Sequence, residues 1–304
     1  MWERDGKDWP NRDASRFVRA AELRWHVQDM GPEGEKAPVA VLVHGTGAAT
    51  HSWRDLAPLL APHFRVVAMD LPGHGFTDKP GRRRLSLPAM ARALGQLLDQ
   101  LDARPAIAIG HSAGAAILVR MIVDRLITPD TLISLNGAFL PFKGFAGTVF
   151  RPAARFMAFN PLVPRLFARR ARDPAVLDRM VGNTGSKLDA RGVELYAKLA
   201  GDHRHVAGAL GMMAEWDLEP IARDLPRLPC ELLLVVGAHD RTVPPSNAAR
   251  VRELVPKSRL VTLERLGHLA HEEAPERVAE LIIEEAAAAG VIDMMQAREI
   301  DAKG

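Results

Sequence analysis

One cysteine, Cys230, is all that the 304-residue chain contains, so no internal disulfide can form and a reducing compartment is expected. No uninterrupted apolar run approaches the ~20 residues needed to span a bilayer. The opening residues, Met1-Trp2-Glu3-Arg4-Asp5-Gly6-Lys7-Asp8, are too charged for a secretory signal, and the expected location is the cytoplasm. Internal repeats and low-complexity tracts are missing as well. So is a strong charge excess: the net charge is +3 and the pI about 9.2, which argues against a nucleic-acid partner. What is present is an ordinary globular balance, 47% hydrophobic and 25% charged. The length suits one large α/β domain, with or without an inserted subdomain.

Apolar runs and helical patterns alternate, which predicts a mainly parallel sheet with helices on both faces. Val39–Val43, Arg65–Met69, 106–109, Thr131–Leu135, 231–236 and Arg259–Leu263 are short runs rich in Val, Ile and Leu, as strands buried on both faces would be. Leu23, Trp25 and Val27 alternate with polar neighbours and predict a half-exposed strand near a sheet edge. Leu87, Met90, Leu94, Leu97, Leu98 and Leu101 form a helical stripe with Ser86 as its expected N-cap. Further helices are expected from Ser112 to about Arg125 and from Pro275 to about Ala289. Residues 137–229 break the rhythm, with amphipathic pieces punctuated by Pro152, Pro161, Pro164 and Pro174. Such a stretch is too long for an ordinary connection, so it reads as a helical lid between core segments 1–136 and 230–304. An extra helical layer with no role at the site is the plainer alternative.

Gly110-His111-Ser112-Ala113-Gly114 follows one of these strands and opens a helix, the setting that G-x-S-x-G requires. The chain must turn sharply at the serine, so its neighbours must be small. Serine is a weak nucleophile without a base. Among eleven histidines, His268 lies where a loop leaving a late strand would carry it over the serine, with His271 as the competitor. Asp240, just past 231–236, is the candidate acid that orients the base. The order Ser112, Asp240, His268 is far more specific than any one motif. Oxyanion donors are expected at the N–H of Ala113 and of Thr46, in the loop His44-Gly45-Thr46-Gly47.

Competing chemistries fit less well. The pair His268 and His271 with Glu272 lacks the His-Glu-x-x-His spacing and a third ligand, so no metal is called for. The glycine loop lacks the Lys-Ser/Thr pair of a P-loop and the third Rossmann glycine, so no nucleotide cofactor is called for either. Asp70-Leu71-Pro72-Gly73-His74-Gly75 has the chemistry of a structural corner, and His74 is assigned there. Trp53 is expected to pack in the helix after the glycine loop, though it is also kept among candidate substrate contacts.

With these residues in place, the chain resembles the α/β-hydrolase superfamily over essentially its whole length. The resemblance implies the α/β-hydrolase fold, with a helical lid inserted after the sixth strand. The similar branch contains meta-cleavage-product hydrolases, epoxide hydrolases and haloalkane dehalogenases; the last two use an aspartate nucleophile, so Ser112 argues against both reactions. A closer resemblance is to the magnesium-chelatase accessory family of bacteriochlorophyll biosynthesis. It is carried by Asp8-Trp9-Pro10-Asn11-Arg12, Leu23-Arg24-Trp25-His26-Val27-Gln28, residues 44–53 and residues 110–116. In the lid it is carried by residues 160–164, 167–170 and 184–192. It implies photosynthetic tetrapyrrole synthesis and contact with magnesium chelatase, although a chain without a P-loop cannot be that enzyme's motor subunit.

Phe139, Phe142, Phe145, Phe150, Phe156, Phe159 and Phe167 make the lid region rich in phenylalanine. A flat macrocycle would use such a surface, with its propionates on Arg151, Arg155, Arg165 or Arg169. Simple packing of lid on core is the alternative, and a peripheral membrane contact is the third. Met212 and Met213 are expected in the lid core. The expected activity is hydrolysis of an ester or related acyl bond of a bulky apolar small molecule, for which a tetrapyrrole is one candidate. Trp53, Phe139, Phe142, Arg151 and Arg155 are the candidate substrate contacts. A C–C bond hydrolase with the same triad, or a non-catalytic carrier of tetrapyrrole, are the rivals.

Overall fold

The structure is a computed structural model that describes residues 2–32, 37–141, 160 and 162–293. Eight strands form one sheet: β1 (Ser15–Ala20), β2 (Leu23–Met30), β3 (Val39–Val43), β4 (Arg65–Met69), β5 (Pro105–His111), β6 (Thr131–Leu135), β7 (Glu231–Gly237) and β8 (Arg259–Leu263). Their order is β1-β2-β4-β3-β5-β6-β7-β8. The two pairings made by β2 are antiparallel and the other five are parallel.

Successive residues of a strand face opposite sides of a sheet, and here they divide between two apolar clusters. Val41, Val43, Ala108, Leu232 and Leu234 pack on one face, against α1 (Leu87–Gln100) and α2 (Ala113–Val123). Ala40, Leu42, Ile107, Ile109, Leu233 and Val235 pack on the other, together with Trp53 and the C-terminal helix Pro275–Ala288. Double burial is why these strands read as continuous apolar runs.

At the antiparallel end the pattern is subtler. Leu23, Trp25 and Val27 are buried as expected, but so are His26 and Gln28 on the reverse face. Part of their polar capacity is met there: Gln28 Nε2 donates to Pro10 O at 2.6 Å, and His26 N–H donates to Thr77 Oγ1 at 2.9 Å. The edge is instead β1, a half-buried strand whose composition carries no strong periodicity. The segment 8–12 fastens this end down. The Trp9 indole donates to Thr50 Oγ1 at 3.0 Å, and Asn11 Nδ2 donates to Arg54 O at 3.0 Å.

Ser86 precedes α1 as expected, but its hydroxyl turns back to donate to Arg83 O and makes no capping bond. Pro88 in the first turn, where no intrahelical N–H is lost, suits the helix start. Between β6 and β7 the described residues form helices and no strand. They are α3 (Leu162–Arg170), α4 (Pro174–Asn183), α5 (Ala190–Ala200) and α6 (His203–Glu215), followed by a short helix Glu219–Asp224. Asp173, Asp189 and Asp202 cap α4, α5 and α6, each accepting a first-turn N–H. Beyond β7 lie α7 (Ser246–Leu254) and α8 (Pro275–Ala288). No helix among the described residues is long and apolar enough to cross a membrane.

Candidate active site

Ser112 sits between β5 and α2 with φ +50° and ψ −115°, a region that side-chain-bearing residues seldom occupy. Three backbone bonds hold it there. Its N–H donates to Leu135 O at 3.0 Å, and its carbonyl accepts from Ala115 N at 3.2 Å and Ala138 N at 3.0 Å. The flanking glycines are steric necessities. A Cβ at Gly110 would lie 2.5 Å from the Ala115 backbone, and one at Gly114 would lie 2.0 Å from Val43 O. Gly45 is pressed onto the same turn, where a Cβ would meet Ser112 Cβ at 3.0 Å.

His268 follows β8, and Asp240 follows β7. Both are buried, with His268 Nδ1 2.8 Å from Asp240 Oδ2. The carboxylate accepts three further bonds: Thr242 N and Val243 N reach Oδ1 at 2.8 Å each, and Asn136 Nδ2 reaches Oδ2 at 2.7 Å. Because Oδ2 accepts, Nδ1 of His268 is its protonated ring nitrogen, which leaves Nε2 free to act as a base. Ser112 and His268 line one cavity of about 880 Å³, while Asp240 lies behind them. Among the described residues, no hydrogen bond joins Ser112 Oγ and His268 Nε2.

His111 also lines the cavity, and its Nε2–H donates to His268 O at 2.9 Å. Burial, reinforced by His271, holds its pKa well below the usual imidazole range, so it is neutral. His271 is packed between Trp53 and His111, at ring-centroid distances of 4.7 and 4.4 Å, and does not line the cavity. Its pKa is pushed down to about 3, first by burial.

The helical segment between β6 and β7 grips both sides of this arrangement. Thr184 O accepts from Arg241 N at 3.1 Å and His268 N at 3.3 Å, and Ser186 Oγ accepts from Leu269 N at 2.8 Å. Gly185, at φ +85°, is wedged between the loops that bear Asp240 and His268; a Cβ there would lie 1.9 Å from His239 O. On the opposite side, His205 of α6 donates from Nε2 to Gly47 O and accepts at Nδ1 from Gly75 N–H, both at 3.0 Å. Burial pulls the His205 pKa down to about 4, which keeps the ring neutral and both bonds intact. Three residues on, Gly208 meets Gly73 so closely that a Cβ would lie 1.9 Å from its carbonyl. Met212 Sδ then sits 3.7 Å from Thr46 Oγ1.

Thr46 and Ala113 both line the cavity beside Ser112. Ala113 opens α2, where the first N–H groups of a helix lack intrahelical acceptors. Elsewhere the wall is mainly apolar, from Leu177, Val181, Leu210 and Met213 to Trp216. Tyr196 is among its polar groups and donates to the buried Glu272 carboxyl at 2.7 Å. Burial pushes that carboxyl up to about 8.

Several expected substrate contacts lie elsewhere. Trp53 is fully buried in the cluster beneath the sheet and Phe139 in the one above it, so neither lines the cavity. Arg165 and Arg169 are exposed and do not line it either; its charged lining groups among the described residues are Asp217 and Glu219. Met212 is core, whereas Met213 reaches the cavity. Phe142, Arg151 and Arg155 lie outside the described residues. Asp70 and His74 form the structural corner. Asp70 is buried, bonded to His26, Thr50 N and Phe76 N, and its carboxyl is held far below the usual range. Among the described residues no group of three or more His, Cys, Asp or Glu is placed to hold a metal ion.

Asn136, His205 and the wedge Thr184–Ser186 escaped the sequence reading as site residues. None carries a local signal, since each acts on a loop more than fifty positions away. The similarity of residues 184–192 to a known family was the only pointer.

Residues 40–281 match the alpha/beta hydrolase family. The chain is 37% identical over 279 residues to the magnesium-chelatase 30 kDa subunit of Rhodobacter capsulatus, covering 91% of this chain and 96% of that one. It is 26% identical over 267 residues to 2-hydroxy-6-oxo-2,4-heptadienoate hydrolase of Pseudomonas putida, covering 85% and 91%. Among solved structures, the epoxide hydrolase CorEH superposes with a TM-score of 0.76 at 20% identity, covering 90% of this chain and 98% of that one. An alpha/beta hydrolase fold protein from Burkholderia ambifaria gives 0.74 at 24%, with the same coverage.

Proposed function

The chain belongs to the alpha/beta hydrolase family, and from that premise we propose that it is a serine hydrolase acting on an ester or related acyl bond of a bulky apolar molecule. The observation that carries this reading is the 2.8 Å bond from His268 Nδ1 to Asp240, behind a cavity shared by His268 and the strained Ser112. In this reading Ser112 Oγ attacks the acyl carbon while His268 Nε2 takes its proton. Asp240 holds the ring in the Nδ1–H tautomer and offsets the charge that the ring acquires. The N–H groups of Ala113 and Thr46 receive the oxyanion, where one donor is worth about 10²–10³ in rate. His268 then returns the proton to the leaving group, and water enters to release the acid by the same steps in reverse roles.

Residues 137–229 serve as the lid. Its described helices supply Leu177, Val181, Leu210 and Met213 to the cavity, which favours a large apolar acyl or alcohol group. The likeness to a magnesium-chelatase subunit supports a substrate or partner in tetrapyrrole synthesis. Labelling with a fluorophosphonate probe tests the chemistry. Wild type should react and Ser112→Ala should not; an unreactive folded wild type refutes the activated serine.

The same likeness favours one second reading, a carrier that delivers a tetrapyrrole to magnesium chelatase without catalysis. Ser112→Ala separates the two. Full pigment synthesis in a complemented null strain would leave only the carrier. Saturable spectral shifts on titration with protoporphyrin would support macrocycle binding, and no shift would remove it from both readings.

A further inference from the structure

Six large apolar side chains are exposed among the described residues, and four of them, Leu162, Leu166, Phe167 and Met180, lie on α3 and α4. Helix α3 is anchored through one side only. Pro164 and Ala168, followed by Ala171, are buried where the helix packs on α6. The opposite side carries Leu162, 65% exposed, and Leu166, 61% exposed, one turn apart. Arg165, Arg169, Arg170 and Arg172 surround them, all exposed, and residues 162–172 contain no acid. None of the four arginines forms an ion pair among the described residues, whereas Arg54, Arg65, Arg120 and Arg191 are each paired with a carboxylate. Contiguous exposed apolar side chains rimmed by charge mark an interaction surface.

The patch is also continuous with the cavity. Phe167 and Met180 belong to both, each lining the cavity while 38% and 40% exposed. An apolar path thus runs from the outer face of α3 into the chamber that holds Ser112.

We infer that α3 is a docking surface for an anionic lipid bilayer. Leu162, Leu166 and Phe167 enter the headgroup–acyl boundary, and the four arginines pair with lipid phosphates. The charge pattern selects this occupant: an apolar partner surface would leave the arginines unpaired, whereas phosphates at a bilayer surface match both parts of the patch. The acidic residues that follow on the same stretch, Asp173 and Asp178, leave α3 and α4 net positive, and Asp173 is engaged in capping α4; Asp217 and Glu219 lie on the cavity wall. Docking in this pose puts the cavity mouth against the membrane, so that an apolar substrate passes in without crossing water. That last step rests on the proposed hydrolase reading; the docking itself does not.

Co-sedimentation of the full chain with vesicles tests it, comparing pure phosphatidylcholine with phosphatidylcholine mixed with phosphatidylglycerol. Each arginine near an anionic surface is worth roughly 5-fold in partition. Wild type should therefore favour the anionic vesicles by at least about 10-fold in ~0.1 M salt, and lose most of that preference near 1 M, where the screening length falls to ~3 Å. The double variant Arg165→Glu/Arg169→Glu should abolish the preference, and Leu166→Asp should weaken binding at both salt concentrations. All three side chains are exposed, so melting temperatures close to wild type are expected and serve as the folding control. Ser112→Ala should bind as wild type does. Absence of binding, equal partition to both vesicles, or binding unchanged in the variants overturns the inference. Vesicle binding by a wild type that fluorophosphonate does not label would sink the hydrolase reading and leave the docking intact.

Discussion

Replacing Glu272 by Gln should change how stability depends on pH, in a direction and size set by the burial of one carboxyl. The side chain lies between α5 and the loop that bears His268, and accepts the Tyr196 hydroxyl at 2.7 Å. Burial raises its pKa from 4.5 to about 8, so the folded protein holds a proton there that the unfolded chain gives up near 4.5. A group raised in this way contributes its full stability below the unfolded value and loses it as pH rises through the folded one. The window is therefore pH 4.5 to about 8, with a slope of about 1.4 kcal/mol per unit and a total on the order of 5 kcal/mol. Glutamine keeps an acceptor for Tyr196 and carries no proton to lose.

Urea unfolding of wild type and Glu272→Gln across this window isolates the effect in their difference. The subtraction matters because His205 and His271, depressed to about 4 and about 3, work in the opposite sense. Their stability is complete above about 6.5 and is lost as pH falls through those values. The variant should gain on wild type steadily from pH 5 to 8 and hold its lead above that. Parallel profiles for the two proteins would refute the argument.

Three further outcomes follow from the site. Asp240→Asn would turn the wrong ring nitrogen of His268 toward the cavity, and kcat on an activated ester should fall by about 10⁴ with little change in KM; a loss under tenfold contradicts the role given to Asp240. His205→Ala releases Gly47 and Gly75 and should lower kcat by ~10–100-fold through a looser oxyanion loop, whereas His205→Gln, which can offer one donor and one acceptor, should recover part of it. Equal kcat in both variants would leave His205 a packing residue. Gly114→Ala places a methyl 2.0 Å from Val43 O, so loss of several kcal/mol or failure to fold is expected, and a melting temperature near wild type would contradict the steric account.

Much of the core was legible in sequence because the signals are local. A strand buried on two faces must be apolar at consecutive positions, which is how β3, β4, β6 and β7 read; β8 carried the same pattern but lies at the sheet's other edge, where only Leu263 is buried. β1 gave no such signal: an edge strand is only half-buried, and its pairing with β2 is a property of the partner. Trp53 and Phe139 show the same limit for aromatic residues. Their composition suits a pocket wall or a core equally, and only packing sends both to the core.

The chain order of Ser112, Asp240 and His268 could be read from residues that each follow a strand, because the end of a parallel strand is a fixed place in such a sheet. The glycines at 110 and 114 could be read for a like reason, since the turn admits no Cβ at either position. Which groups hold that chemistry in place was decided only by the tertiary structure. Asn136 on the Asp240 carboxylate, Thr184 and Ser186 on the loops that bear Asp240 and His268, and His205 on the glycine loop all act across long stretches of chain. A hydrogen bond between distant segments leaves no periodicity and no motif at either end. The sequence could therefore name candidate groups at strand ends, while the bonds that hold them had to await the fold.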